Sequence, residues 1–282
     1  MEFINATRMV STYTVAFDAS GRELLVVAIK GTFQIPAEPG AAMRLHELQQ
    51  PLTLSDEFFG EPGLSAPRYE CDFATRKQHC DLLLNASAHA PGGRPTTRTT
   101  VGVQIGAWSK SFDVVGNRHW ESGVRLRRSD PAFFTQMPIS YDLAFGGTDD
   151  RHPDPKHHAA YMPNPVGRGF HRQTDRKYVD GAPLPNTEES GHPVTGLDGH
   201  YRPMSFGPLG RHWQPRVAYA GTYDQKWLDE VCPFLPADFD ERYFQAAPPD
   251  QQCPKFTGEQ QVTLINLTPN GRCDFGPQSI AT

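Results

Sequence analysis

Proline and glycine interrupt this chain throughout: 26 prolines and 25 glycines stand among its 282 residues. Proline lacks a backbone donor and its ring clashes with the preceding helical turn. Glycine loses more conformational freedom on folding than any other residue, so long helices do not survive at that spacing. The expected class is therefore mainly β: antiparallel sheets forming a sandwich or barrel-like scaffold, with long, ordered, Pro/Gly-rich loops and at most short helices. The length suffices for a sizeable core, and one domain over residues 1–282 is expected.

The strand signals concentrate in residues 1–128. A hairpin is predicted from strands at 12–17 and 23–35 around the turn Asp18-Ala-Ser-Gly21, where Gly21 supplies the left-handed residue the turn wants. Further strands are predicted at 68–73, 81–89, 99–105 and 110–115 from β-branched and aromatic enrichment between turn residues. Residues 129–215 are loop-rich, poor in Ile, Leu and Val, yet aromatics recur from Phe133 to Trp213. That recurrence predicts ordered loops pinned onto a sheet rather than a disordered linker. Over 216–282 a short helix at 223–232 precedes Pro233, and strands at 261–267 and 272–275 flank Asn270-Gly271 as a C-terminal hairpin.

The formal net charge is −5 with no basic block, which argues against nucleic acid as a partner. The start of the chain lacks the basic, apolar pattern of a signal peptide, and no stretch approaches a bilayer span, so a cytoplasmic protein without membrane contact is expected. The five cysteines, Cys71, Cys80, Cys232, Cys253 and Cys273, include no Cys-x-x-Cys pair and read as reduced thiols.

Three kinds of chemistry can be weighed. The loop from Asp149 to His158 is rich in imidazole and carboxylate, and a metal-dependent hydrolase could use His152, Asp154 and His157, or His158 in its place. Against it, Pro153 and Pro155 limit how these ligands converge, and Lys156 adds an opposing charge. Paired carboxylates at Glu188 and Glu189, or at Asp238 and Asp240, could serve acid/base work, although adjacent acids in loops more often face solvent. No Gly-x-Ser-x-Gly elbow, Ser-x-x-Lys pair or phosphate loop occurs. A carbohydrate-binding module would rest only on exposed tryptophans on a β scaffold, and Trp108, Trp120, Trp213 and Trp227 serve equally as core or interface residues.

An ordered series of short signatures covers most of the chain. It includes Lys30-Gly-Thr-Phe33, Asp72-Phe-Ala-Thr-Arg-Lys77, Ala88-His-Ala-Pro91, Gly116-Asn-Arg-His-Trp120 and Met137-Pro-Ile-Ser-Tyr141. Ala144-Phe-Gly-Gly147, Asn164-Pro-Val-Gly-Arg-Gly-Phe170, Leu184-Pro-Asn-Thr-Glu188, Trp213-Gln-Pro-Arg216 and Ala246-Ala-Pro-Pro-Asp-Gln-Gln252 follow in order. In these the chain resembles the bacterial domain-of-unknown-function family numbered 2169, whose members are encoded beside type VI secretion spike and toxin genes. The resemblance implies a non-catalytic adaptor or chaperone that binds a cognate effector and promotes its loading onto a VgrG or PAAR spike protein. It implies no cofactor and no catalytic residue. On this reading the partner-binding candidates are Asn164, Arg168, Phe170, Asn186 and Glu188 in the loops, with Trp120, Trp213 and Trp227 beside or behind them.

Overall fold

The computed structural model describes residues 3–18, 20–36, 41–172, 175–197 and 199–276. Its centre is a 5-stranded antiparallel sheet in the order Thr187–Glu188, Trp108–Val115, Arg98–Ile105, Val262–Ile265, Arg272–Phe275. The two long strands are joined by the two-residue turn Gly106-Ala107, in which Gly106 takes a φ of 57°. Their alternation sends Val101, Val103, Phe112 and Val114 to one face, where all four are buried. The sheet stays open at both ends, and the remaining strands among the described residues form two-stranded ribbons. The class is mainly β, as the punctuation requires, and no barrel closes. The longest α-helix among the described residues, Gln225–Glu230, has 6 residues, and no helix there is long and apolar enough to cross a membrane.

Several predicted strands are shorter in the structure, for local reasons. The run predicted at 23–35 splits at Gly31 into Glu23–Lys30 and Phe33–Gln34, and the second piece pairs with Arg44–Leu45. The run predicted at 81–89 divides into Cys80–Asp81 and Ala86–His89. Asp81 draws the chain aside because its carboxylate accepts from Gln245 Nε2 at 2.8 Å and from the amides of Ala246 and Ala247 at 3.0 and 3.2 Å.

The described residues between 129 and 215 fold mainly as loops, with short strands, that wrap the sheet. Phe134, Met137, Ile139, Met204 and Phe206 join the inward strand residues in one apolar cluster, with the Phe112 and Phe206 rings 4.6 Å apart. A second cluster gathers Trp120, Phe145, Leu184 and Tyr201, and a third gathers Tyr141, Ala144, Leu209 and Trp213. The loops pack closely because Gly146 and Gly147 sit at φ 145° and 100°. A Cβ at either would collide with a backbone carbonyl, that of Asn164 or of Gly167, so only glycine admits this approach.

Candidate docking surface

Most of the loop residues singled out from the sequence are interior. Asn164 and Asn186 are fully buried, and each replaces a missing ladder with side-chain hydrogen bonds. Asn164 Nδ2 donates to the carbonyls of Tyr141 and Phe145 at 2.9 and 3.0 Å, and Asn186 Nδ2 donates to Val115 O and Asn117 Oδ1 at 3.0 Å each. Glu188 lies on the end strand of the sheet with its side chain wholly buried. Its oxygens accept from Arg118 Nη2 at 2.9 Å, from Arg98 Nη2 at 3.1 Å and from the amide of Val194 at 3.0 Å. Burial lowers the Arg118 pKa from its ordinary value and Glu188 opposes the shift, as expected of a charge held inside by its partner.

Trp120 and Trp213 are likewise buried. Arg168 and Phe170 are half-buried: Arg168 donates to Asp142 O at 3.1 Å, and Phe170 stacks against Tyr161. These side chains shape a surface from beneath. Trp227 differs, for it is half-exposed on the helix Gln225–Glu230, which Asp224 caps by accepting from the Trp227 amide at 2.8 Å. Its indole Nε1 donates to Phe234 O at 2.9 Å.

The chemical candidates are each engaged locally. His152 Nδ1 accepts from the Asp154 amide at 3.0 Å, Asp154 caps the turn Pro155–His157 through the Lys156 amide, and His158 Nε2 lies 2.7 Å from His152 O. Among the described residues no group of three or more His, Cys, Asp or Glu is placed to hold a metal ion, so His152, Asp154 and His157 do not assemble a centre. Thr222 holds the Asp238 carboxyl below its ordinary range, and Arg242 does the same to Asp240. A general acid at neutral pH needs the opposite shift. Glu189 pairs with Arg202 at 3.1 Å.

A contiguous, partly exposed apolar face lies at the other end of the chain. Strands Val10–Phe17 and Glu23–Lys30 pair over their whole length as an isolated ribbon. Leu24, Val26 and Ala28 turn toward the body of the protein, and Ala28 is buried. The other face carries Tyr13, Val15, Leu25, Val27 and Ile29, with Tyr13 opposite Val27 and Val15 opposite Leu25. Val15, Leu25 and Ile29 are 56%, 53% and 62% exposed. An apolar groove of about 320 Å³ opens beside this ribbon, lined by Ala16, Val26, Phe73, Phe234, Leu235 and Phe244. Phe17 at the tip of the ribbon meets Phe234 edge-on at 5.4 Å, and through Phe234 O the groove is joined to Trp227. The apolar run Leu24–Ile29 carries the signal for an outward apolar face, because alternate positions of a strand lie on opposite faces and here both sets are apolar.

No curated protein and no solved structure matches the chain. One family model does, over residues 20–276, a span that takes in the second hairpin strand, the central sheet and the wrapping loops. The chain belongs to that family, described as uncharacterized protein conserved in bacteria and designated DUF2169.

Proposed function

We propose that this protein is a non-catalytic adaptor that binds a cognate type VI secretion effector in the cytoplasm and promotes its loading onto a VgrG or PAAR spike protein. The observation that carries the binding role is the outward face of the N-terminal ribbon, where Tyr13, Val15, Leu25, Val27 and Ile29 lie side by side and are 36–62% exposed, with Phe3 against Tyr13 at one end. Contiguous exposed apolar surface marks a site of association, whereas single exposed apolar residues need no explanation. The secretion context comes from the ordered family signatures and not from the geometry.

Magnitudes constrain how the partner sits. Two strands of 8 residues make a face about 26 Å long and about 10 Å wide. That footprint falls well short of the ~800 Å² per partner of a stable interface. The effector must therefore reach past the ribbon's outward face, since the groove beside Phe234 lies under the opposite face, lined by the inward residues Ala16 and Val26. The matching segment on the effector is apolar along one face.

Co-expression with the effector encoded by the neighbouring toxin gene tests this. The wild-type protein should co-purify with it, and the double variant Val15→Glu/Leu25→Glu should fold normally yet lose the complex. Absence of any complex, together with undiminished effector secretion in a deletion strain, would refute the adaptor role.

A further inference from the structure

Strands Cys80–Asp81 and Gln252–Cys253 pair antiparallel with Cys80 directly opposite Cys253. The neighbouring backbone holds that register tightly. Asp81 receives three donors from residues 245–247, the Leu82 amide donates to Gln251 O at 3.0 Å, and Gln251 Nε2 donates back to Leu82 O at 2.8 Å. Opposed residues of an antiparallel pair have Cα atoms about 4.5–5.5 Å apart, inside the ~4.4–6.8 Å that a disulfide spans.

The two thiols differ in access. Cys80 is exposed and Cys253 is only 3% exposed. Burial raises the Cys253 thiol above its ordinary value, and Cys80 beside it adds to the shift. An accessible thiol backed by a second one across a strand pair is the arrangement of an attacking and a resolving cysteine. Two of the other cysteines lack this geometry: Cys273 lies opposite Leu264, and Cys71 Sγ is directed at Leu54 O.

We propose that Cys80 and Cys253 form a redox pair that closes into a cross-strand disulfide, with Cys80 meeting the oxidant and Cys253 resolving. The oxidant is a small-molecule disulfide such as oxidised glutathione. The Cys80 thiolate attacks one of its sulfurs, forming a mixed disulfide and releasing one glutathione thiolate. The Cys253 thiolate then attacks the Cys80 sulfur, the Cys80–Cys253 bond forms, and the second glutathione leaves. The protein gives up two electrons and two protons, and the oxidant becomes two thiols. The bond would tie the segment after residue 77 to the segment before the last two strands of the sheet. A link between positions so distant in the chain restricts the unfolded state strongly.

Full-length protein treated with oxidised glutathione, then alkylated and mapped without reduction, provides the test. The expected result is a mass short of the reduced protein by two hydrogens before alkylation, a single cross-linked peptide pair joining Cys80 to Cys253 after it, and a melting temperature raised by roughly 5 °C that reverses on reduction. Cys80→Ser, at an exposed position, should fold as wild type and lose both the cross-link and the rise. Cys253→Ser should instead retain a glutathione adduct on Cys80. A stable adduct on wild-type Cys80 without a cross-link, or a cross-link joining any other pair, would overturn the assignment.

Discussion

In the N-terminal ribbon Val15, Leu25 and Ile29 are more than half exposed, whereas in the loops between residues 129 and 215 Asn164 and Asn186 are fully buried. The regular element places apolar groups in water and the irregular one places polar groups inside. Both follow from where backbone hydrogen bonds are made. The ribbon pairs its inner edges and leaves its outer edges to water, so its side chains need not be buried for its backbone groups to be met. The loops have only short ladders, and buried carbonyls such as Tyr141 O, Phe145 O and Val115 O also take side-chain donors. On this account the loops bear stability and the ribbon is left free for association.

Breaking the buried polar side of the comparison should cost most. Glu188→Ala removes the partner of Arg118, whose side chain is 4% exposed, and leaves a buried cation without its counter-charge. A loss of about 3–5 kcal/mol in unfolding free energy is expected, read from the denaturant midpoint. A loss under about 1 kcal/mol would mean that the network is not a support of the fold.

A smaller effect should appear with pH. His171 has a side chain 7% exposed, 4.0 Å from Asp149, and neither ring nitrogen has a hydrogen-bond partner among the described residues. Burial lowers its pKa below 6.5, with Asp149 opposing and Arg151 reinforcing the shift. With the folded pKa depressed, the unfolded chain binds the proton first. The contribution is therefore intact above about pH 6.5 and is lost as pH falls toward the folded value. Melting curves across that window should fall with acidification, and His171→Leu should flatten the fall. An unchanged slope in the variant would remove His171 as its source.

The smallest stability effect belongs to the ribbon. Val15→Glu/Leu25→Glu touches only exposed positions, so unfolding free energy should move by no more than about 0.5 kcal/mol per site. A larger loss would show that the outward face packs against something within the chain, and the contrast between the two regions would fail.

Much of the scaffold was legible from local chemistry. The Gly21 hairpin, the strands near 99–105 and 110–115 and the Asn270-Gly271 hairpin all appear, with ends shifted by a few residues. Strand 81–89 was not read correctly because its interruption depends on Asp81 meeting residues 245–247, far along the chain. For the candidate surface, the apolar run Leu24–Ile29 was plain in the sequence, but which alternate set would face solvent was not. The loops around Asn164 and Asn186 read as surface because they are polar and irregular, and those same side chains turned out to be the internal donors.

Pro/Gly punctuation by itself determined that helices stay short and that the fold is built from strands and turns, since backbone sterics act within a few residues. Only the tertiary structure decided that Glu188 would sit between Arg98 and Arg118, that Cys80 would oppose Cys253, and that one apolar face of the ribbon would stay about half exposed. Each of those depends on what a distant segment brings to the same place, and burial is a property of the assembled chain rather than of any residue in it.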